Sequence, residues 1–293
     1  MPASRALRIY SRLKIVPTDW KRIRERSREV MAVLDHYGPL EQMSVDEAYL
    51  DLSVQEDPVS VAAAIKKDVK ERTSLPCSVG LATSTLVAKV ASDHDKPDGF
   101  SVVRPGTEAA FLAPKSTRAI LGIGPRTAER LAALEIHTCG QLAAARPNQI
   151  RAALGNQAAA FIQRAQGIDN REVHSEARQA KSISQEITVS RDVIDAKLLE
   201  AQLREMCASL ANSLRKKGLG AHTVTINIRL ADFTTITRQK SYEVAFDGEN
   251  ELMRRATKIC RENWKPGQFI RLLGIGVSNL EVLQVRQLQL PLE

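Results

Sequence analysis

Two acids stand side by side, Asp46 and Glu47, where an apolar strand-like run begins in Ser44-Val45-Asp46-Glu47-Ala48-Tyr49-Leu50-Asp51. Carboxylate oxygens are hard donors. Such a pair suits Mg²⁺, which is usually held by one or two carboxylates together with substrate phosphates. Two such ions about 3.5–4 Å apart can clamp the attacking and leaving oxygens of a phosphoryl transfer. Neighbouring strand side chains point to opposite faces, so the backbone after Pro39 must leave regular geometry if both acids are to reach one place. Taken by itself the pair reads as a solvated turn, since Asp-Glu dipeptides are common. Asp51 reads as a turn or capping residue. A second cluster lies in Val87–Gly99, VAKVASDHDKPDG. There Lys89, Ser92, Asp93 and Lys96 bring two ammonium groups near a turn closed by Pro97 and Gly99. A lysine on such a turn can contact a phosphate; a solvated surface lysine is the other reading of Lys96.

The surrounding pattern supplies the elements that must hold these groups. Residues 39–53 read as a strand carrying acids. In 58–71, Val61, Ile65 and Val69 recur every four residues with Lys66, Lys67 and Lys70 opposite, which is an amphipathic helix. Cys77–Ala82 and Phe100–Val103 read as strands around a helix at Thr85–Ser92, an α/β layer. Residues 19–36 form a basic helix with a solvated face. From about residue 105 Ala, Leu and Arg dominate, and short helices are separated by Gly and Pro. Within them Leu121–Leu131 (LGIGPRTAERL) matches a helix-hairpin-helix. Gly122 and Gly124 permit a tight hairpin. The helix that follows opens with N–H groups and a dipole suited to a DNA phosphate, with Arg126, Thr127 and Arg130 beside them. An ordinary packing turn is the bland alternative.

Residues 172–181 read as a linker. Beyond it, Leu199, Leu203, Met206, Leu210 and Leu214 mark a long amphipathic helix. His222–Leu230 alternates, with Val224, Ile226, Ile228 and Leu230 facing one way and Thr225, Asn227 and Arg229 the other. Glu251–Asn263 is a further helix and Ile270–Leu280 a further strand. This predicts a small α+β domain with its sheet covered on one face. Arg229, Arg238 and Arg271, with Lys240, would grip a duplex backbone without reading sequence; a solvated sheet face would need no DNA. The tail, Gln287-Leu288-Gln289-Leu290-Pro291-Leu292-Glu293, has the spaced leucines of an extended peptide that docks in an apolar pocket. A plain strand-ending tail stands beside that reading.

Composition bounds the rest. The 293 residues hold 42 Lys plus Arg against 34 Asp plus Glu, a formal charge of +8, which favours a polyanionic partner without establishing one. No apolar run approaches the roughly 18 residues of a membrane helix, and Arg5, Arg8, Arg12 and Lys14 interrupt any signal-peptide core. Cys77, Cys139, Cys207 and Cys260 are far apart with no CxxC spacing. That argues against a zinc site or a disulfide scaffold and suits a reducing cytoplasm.

SVDEAYLD followed by SVGLATSTLVAKVASDHDKPDG resembles the Y-family DNA polymerases, in the DNA polymerase IV branch. The order and spacing of the two blocks fit, and together they are highly specific. The resemblance implies a multidomain α+β fold. Its parts would be a fingers remnant (1–16), a partial palm with a mixed α/β sheet (17–105), an all-helical thumb (106–171), the linker, a little finger (182–281) entered through Lys181–Glu186, and the tail (282–293). Ala165–Val173 fits the thumb end, and Arg229–Arg238 (RLADFTTITR) fits the little finger. The resemblance also implies that Asp46 and Glu47 bind the catalytic Mg²⁺ ions, two in a complete enzyme, and that Lys96 contacts the triphosphate of an incoming dNTP. Primer-template DNA would lie against the thumb and little finger. Gln287, Leu288, Leu290 and Leu292 would reach a sliding clamp, although the terminal aromatic usual in such peptides is absent. A monomer is expected.

Relative to that family the chain begins late. MPASRALRIYSRLKIVP looks like the segment that closes the fingers. The first metal-binding aspartate, the residue that excludes ribonucleotides and the fingers Tyr and Arg have no counterpart; Ile23 stands where a Tyr is expected and Ser84 where Asn is usual. The expectation is a lesion-bypass polymerase given as a truncated form or a wrongly started gene model, binding primed DNA and extending it poorly or not at all. A non-catalytic, clamp-recruited accessory protein for damaged DNA on a polymerase scaffold is the alternative. A helix-hairpin-helix glycosylase or nuclease is weaker, because Thr127–Leu134 supplies no catalytic Lys or Asp.

Overall fold

A computed structural model of the chain describes residues 1, 3–176, 179–265 and 267–283. It divides into two compact units, Met1–Ala177 and Arg178–Glu293, split inside the expected linker. Among the described residues no helix is long and apolar enough to cross a membrane.

The first unit begins with α1 (Ala3–Ile9) and α2 (Trp20–Leu34). Asp19 caps α2 by accepting the Arg22 N–H at 3.0 Å. The run read as one strand over 39–53 is instead a hairpin of β1 (Leu40–Gln42) and β2 (Ala48–Leu50), paired Leu40 to Leu50 and Gln42 to Ala48. The cause is local: the Met43 and Ser44 amides both donate to the Glu47 carbonyl, at 2.9 and 3.1 Å, and the Asp46 amide donates to the Ser44 hydroxyl at 3.2 Å. Ser and Asp make such side-chain turns readily. Next, α3 (Pro58–Thr73) starts with its proline at the first position and Asp57 as cap; its Ile65 and Val69 pack with Val33 of α2. Then β3 (Val79–Leu81), α4 (Thr85–His94) and β4 (Phe100–Val102) form a strand–helix–strand unit with parallel strands. At Gly80 an added Cβ would lie 2.2 Å from the Ala88 carbonyl oxygen and 2.3 Å from the Ser92 nitrogen, so α4 rests directly on the β3 backbone.

The expected single palm sheet is two sheets here, β1–β2 and β3–β4. Strands of three residues offer one or two ladder bonds per edge, and among the described residues none joins the two pairs. Short helices follow: α5 (Glu108–Leu112), α6 (Pro125–Ala132), α7 (Cys139–Ala144), α8 (Pro147–Leu154) and α9 (Ala158–Ala165). Leu112, Ile120, Leu131, Leu142, Ile150 and Phe161 of this region share one core with Leu86, Val87, Val90 and Ala91 of α4. The helix that carries Lys89 is therefore anchored by the helical bundle as well as by its own strands.

The second unit runs β5 (Ser182–Val193), α10 (Ala196–Lys217), β6 (Leu219–Leu230), β7 (Thr235–Phe246), α11 (Glu249–Asn263) and β8 (Ile270–Val282). Its sheet has the order β5-β8-β6-β7 and is antiparallel throughout. Val224, Ile226, Ile228 and Leu230 are buried with Leu203, Leu210, Leu214, Leu252 and Ile259 of the two helices, as the alternation predicts. The opposite sheet face is left open. All four cysteines are free. Burial pushes the Cys207 thiol up to about 12 and those of Cys139 and Cys260 up to about 11, so these three are packing groups rather than nucleophiles.

Candidate active site and nucleic-acid interface

The β1–β2 turn presents both acids at its tip. The Ser44 hydroxyl donates to Asp46 Oδ1 at 2.6 Å, and Asp46 is otherwise exposed. Glu47 Oε1 accepts from Lys89 Nζ at 2.7 Å. Lys89 also donates to Asp93 Oδ2 at 2.9 Å, and Lys96 Nζ reaches Asp93 Oδ1 at 2.6 Å. One chain of charges thus runs Glu47–Lys89–Asp93–Lys96 and ties the hairpin to α4 and to the turn beyond it. The spacing explains it: Lys89 and Asp93 lie i,i+4 on one helix face, and Lys96 follows three residues on. Desolvation alone would pull the Lys89 ammonium down, but hydrogen bonds to Glu47 and Asp93 outweigh it and the pKa is raised. Desolvation likewise opposes ionisation of Asp93, and the contacts to Lys96 and Lys89 overcome it and lower its pKa.

The donor set fits hard divalent cations only with help. Asp46 and Glu47 offer oxygens, yet no group of three or more His, Cys, Asp or Glu able to hold a metal occurs among the described residues. Water and substrate phosphates would have to complete any coordination shell. Lys89 has two acceptors, so a cation that takes Glu47 leaves the ammonium held on Asp93. Of the sequence-predicted residues, Glu47, Lys89, Asp93 and Lys96 are brought into one network, with Asp46 adjacent. Ser92 turns back, its hydroxyl donating to the Lys89 carbonyl at 2.9 Å.

Sequence reasoning missed the strap that fixes this arrangement. Asp169 Oδ2 accepts from the Thr85 hydroxyl at 3.1 Å and the Leu86 amide at 3.2 Å, at the N-terminus of α4. Arg171 donates to Thr85 Oγ1 at 2.8 and 3.0 Å and lies over the Tyr49 ring, 5.0 Å from its centroid. The His174 amide donates to the buried carboxylate of Glu41 at 3.2 Å. Residues 169–174 therefore bridge β1, β2 and the start of α4.

In the glycine turn, Gly122 has φ +99°, which only glycine adopts freely, and an added Cβ there would meet the Phe161 ring at 3.2 Å. Gly124 has an ordinary φ of −80° and nothing within 4 Å of its would-be Cβ, leaving open space beside the start of α6. Arg126 and Arg130 are exposed, while the Thr127 amide is already used on the Gly124 carbonyl at 3.1 Å.

In the second unit, Arg229 lies opposite Thr235 on the open sheet face, its Nε donating to the Thr235 hydroxyl at 3.0 Å. Arg238 pairs with Ile226, a core residue, so it leaves the sheet on the helix side; Lys240 opposite Val224 does the same. The expected cluster is thereby divided. Arg271 joins Arg229 instead, around a cleft of about 460 Å³ lined also by Thr188, Val189, Asp192, Phe233 and Leu272. Gln287, Leu288, Leu290 and Leu292 lie outside the described residues.

Comparison with known proteins bears on what this arrangement serves. Residues 1–93 match the family model described as impB/mucB/samB family, and residues 180–290 match the impB/mucB/samB family C-terminal domain. The DNA polymerase IV of Methanoculleus marisnigri is 39% identical over 285 residues, covering 96% of this chain and 79% of that protein. The DNA polymerase IV of Bacillus anthracis is 32% identical over 297 residues, covering 99% and 72%. Among solved structures, a Y-family DNA polymerase chimera of Dbh and Dpo4 matches with a TM-score of 0.83 at 22% identity, over 97% of this chain and 83% of that one. DinB from Sulfolobus solfataricus matches with a TM-score of 0.59 at 22% identity, over 97% and 84%. At that identity the structural likeness speaks for the fold, a Y-family arrangement of mixed α/β content.

Proposed function

The chain belongs to the impB/mucB/samB family, Y-family polymerases of the DinB type whose curated relatives are DNA polymerases IV, and on that premise we infer that it is a DNA-directed DNA polymerase that copies past damaged template bases. The observation that carries the reading is the Glu47–Lys89–Asp93–Lys96 network beside Asp46, acids and ammonium groups gathered at one hairpin tip. Residues 17–105 serve as palm, 106–171 as a thumb with its helix-hairpin-helix, and 182–281 as little finger.

The reaction joins a primer 3′-oxygen to the α-phosphorus of a dNTP and releases pyrophosphate. Asp46 and Glu47 are the residues that hold the divalent cations, for which Mg²⁺ is the expected species; when bound, these supply Lewis-acid stabilisation of the phosphate oxygens and a more acidic primer hydroxyl. Lys96 contributes a point charge to the triphosphate. Lys89 neutralises Glu47 and orients it towards the turn, and Asp93 fixes both lysines. The Gly122–Gly124 hairpin, with Arg126 and Thr127, meets duplex phosphates, as does Arg229 on the open sheet face. The tail residues Gln287, Leu288, Leu290 and Leu292 are assigned to a sliding clamp, and the polymerase acts as a monomer. Curated relatives that are themselves polymerases favour this reading over a non-catalytic accessory on the same scaffold.

Primer extension on a primed template with Mg²⁺ and the four dNTPs tests the assignment. Extension is abolished in Asp46→Ala and in Glu47→Ala. Extension that survives either substitution refutes it.

A further inference from the structure

We propose that the cleft formed by Phe233, Arg271 and Arg229 receives an unpaired nucleobase, stacked on the free face of Phe233 with its phosphate on Arg229. Phe233 is 63% exposed, in a unit whose other large aromatics mostly pack inwards. It contributes nothing to the core, yet its placement is enforced. Its φ is +67°, a left-handed conformation that a bulky residue rarely adopts and that Gly or Asn would accept at lower cost. The turn is held around it. Phe233 N–H donates to the Leu230 carbonyl at 3.0 Å, Leu230 N–H to the Thr234 carbonyl at 2.9 Å, Thr234 N–H to Asp232 Oδ1 at 2.8 Å, and Ala231 N–H to the Phe269 carbonyl at 3.0 Å. An exposed ring held in a strained backbone points to a role outside folding.

The neighbours define the ligand. Arg271 lies over one face of the ring, 4.4 Å from its centroid, and is fixed there by Asp192, with Nε to Oδ1 at 3.1 Å and a terminal nitrogen to Oδ2 at 3.4 Å. Asp192 neutralises that guanidinium, so Arg271 serves as a backing plate and the opposite ring face remains free. Among the described residues Arg229 has only the neutral Thr235 hydroxyl at its Nε, which leaves its charge for an anion. Val189 and Leu272 line the cleft with apolar surface and Thr188 adds a hydroxyl. A planar group with a phosphate attached satisfies all of these. A base inside a duplex does not, because its faces are covered by its neighbours; an unpaired or extruded base offers one. Stacking of this kind tolerates any base.

The proposal rests on the DNA-binding reading above, and the test separates the two. Binding of the full chain is measured by fluorescence anisotropy on a labelled blunt duplex and on the same duplex with an unpaired oligo-dT overhang. Phe233→Ala is expected to weaken binding of the overhang DNA roughly 5- to 150-fold, the loss of about 1–3 kcal/mol of one stacked base, while changing blunt-duplex binding less than twofold. Phe233→Trp retains the preference, and Phe233→Leu loses it although apolar volume is kept. Phe233→Gly removes ring and strain together; an unchanged or higher melting temperature with the same loss shows that unfolding is not the cause. Equal losses on both DNAs, no loss on either, or full binding by Phe233→Leu would overturn the proposal while leaving the DNA-binding reading intact. Failure of the unmodified chain to bind either DNA overturns both.

Discussion

Replacing Gly80 with alanine tests how closely α4, and with it Lys89 and Asp93, is held to its strand. The new methyl group would start 2.2 Å from the Ala88 carbonyl oxygen and 2.3 Å from the Ser92 nitrogen. Ordinary contact needs roughly 3.5 Å, so α4 must withdraw by roughly 1.3 Å, the difference between the two. The atoms met are backbone, which cannot rotate aside. The cost therefore falls at the upper end of the usual overpacking range, about 3 kcal/mol. For a unit of this size that corresponds to a fall of roughly 6–12 °C in melting temperature. The helix carries Lys89 with it, so the 2.7 Å contact to Glu47 lengthens. Circular dichroism melts give the stability change. Hydrogen exchange gives its location, with amides of Thr85–His94 losing roughly 100-fold of protection, since 1.4 kcal/mol is a factor of ten. A Gly80→Ala protein that melts within about 1 °C of the parent, with α4 protection unchanged, would refute the packing argument and remove the reason for Lys89 to stand where it does.

Gly124→Ala is the contrasting case. Its Cβ meets nothing and its φ is ordinary, so stability should change by less than about 0.5 kcal/mol. Duplex affinity should nevertheless fall if a phosphate approaches that backbone; unchanged affinity in a filter-binding titration would remove the glycine turn from the DNA interface. Asp93→Asn tests the charge network by pH. Because its folded pKa is lowered, Asp93 stabilises fully above its unfolded value near pH 4 and loses that contribution as pH falls through its folded pKa. Lys89, raised, stabilises below its unfolded value near 10.4 and loses that contribution only in more alkaline solution. Asn at position 93 should therefore flatten the acid limb of urea stability below about pH 4 and leave a deficit of about 0.2–1 kcal/mol per lost pair at neutral pH, the side chains being partly exposed. An acid limb identical to the parent's would show that the network carries no linkage.

The parts of the molecule that a sequence announces are those with a local cause. The alternation holds from Val224 to Leu230, where one face meets two helices and the other does not, and is interrupted at Thr223, buried beside a register shift. The acid pair gains its meaning only beside the second block, where Lys89 and Asp93 share a helix face by spacing alone and Lys96 follows in the turn beyond it. Residues 39–53 misled because apolar residues flank the acids on both sides, while the break at Met43–Glu47, made by two amides converging on one carbonyl, is signalled only by the turn-forming Ser44 and Asp46. Strands β5 and β7 were poorly visible because edge strands are polar and half covered. Arg238 could not be assigned to a face without the register that sets it opposite Ile226. Asp169 and Arg171 act on residues 83 to 86 positions away in the chain, through contacts that leave no periodic trace. The same holds for Phe233 and Arg271, which meet only once β6 and β8 have paired.

Asp46 and Glu47 are proposed to hold the divalent cations that a nucleotide's phosphates require. Binding of a fluorescent dNTP to the chain on primed DNA, titrated with Mg²⁺ and with Mn²⁺, measures this without requiring turnover. Nucleotide binding is expected to depend on the cation, to weaken at least tenfold in Asp46→Ala and in Glu47→Ala, and to weaken in Lys96→Ala with the cation dependence preserved. Cation-dependent binding that is indifferent to both acid substitutions would contradict it.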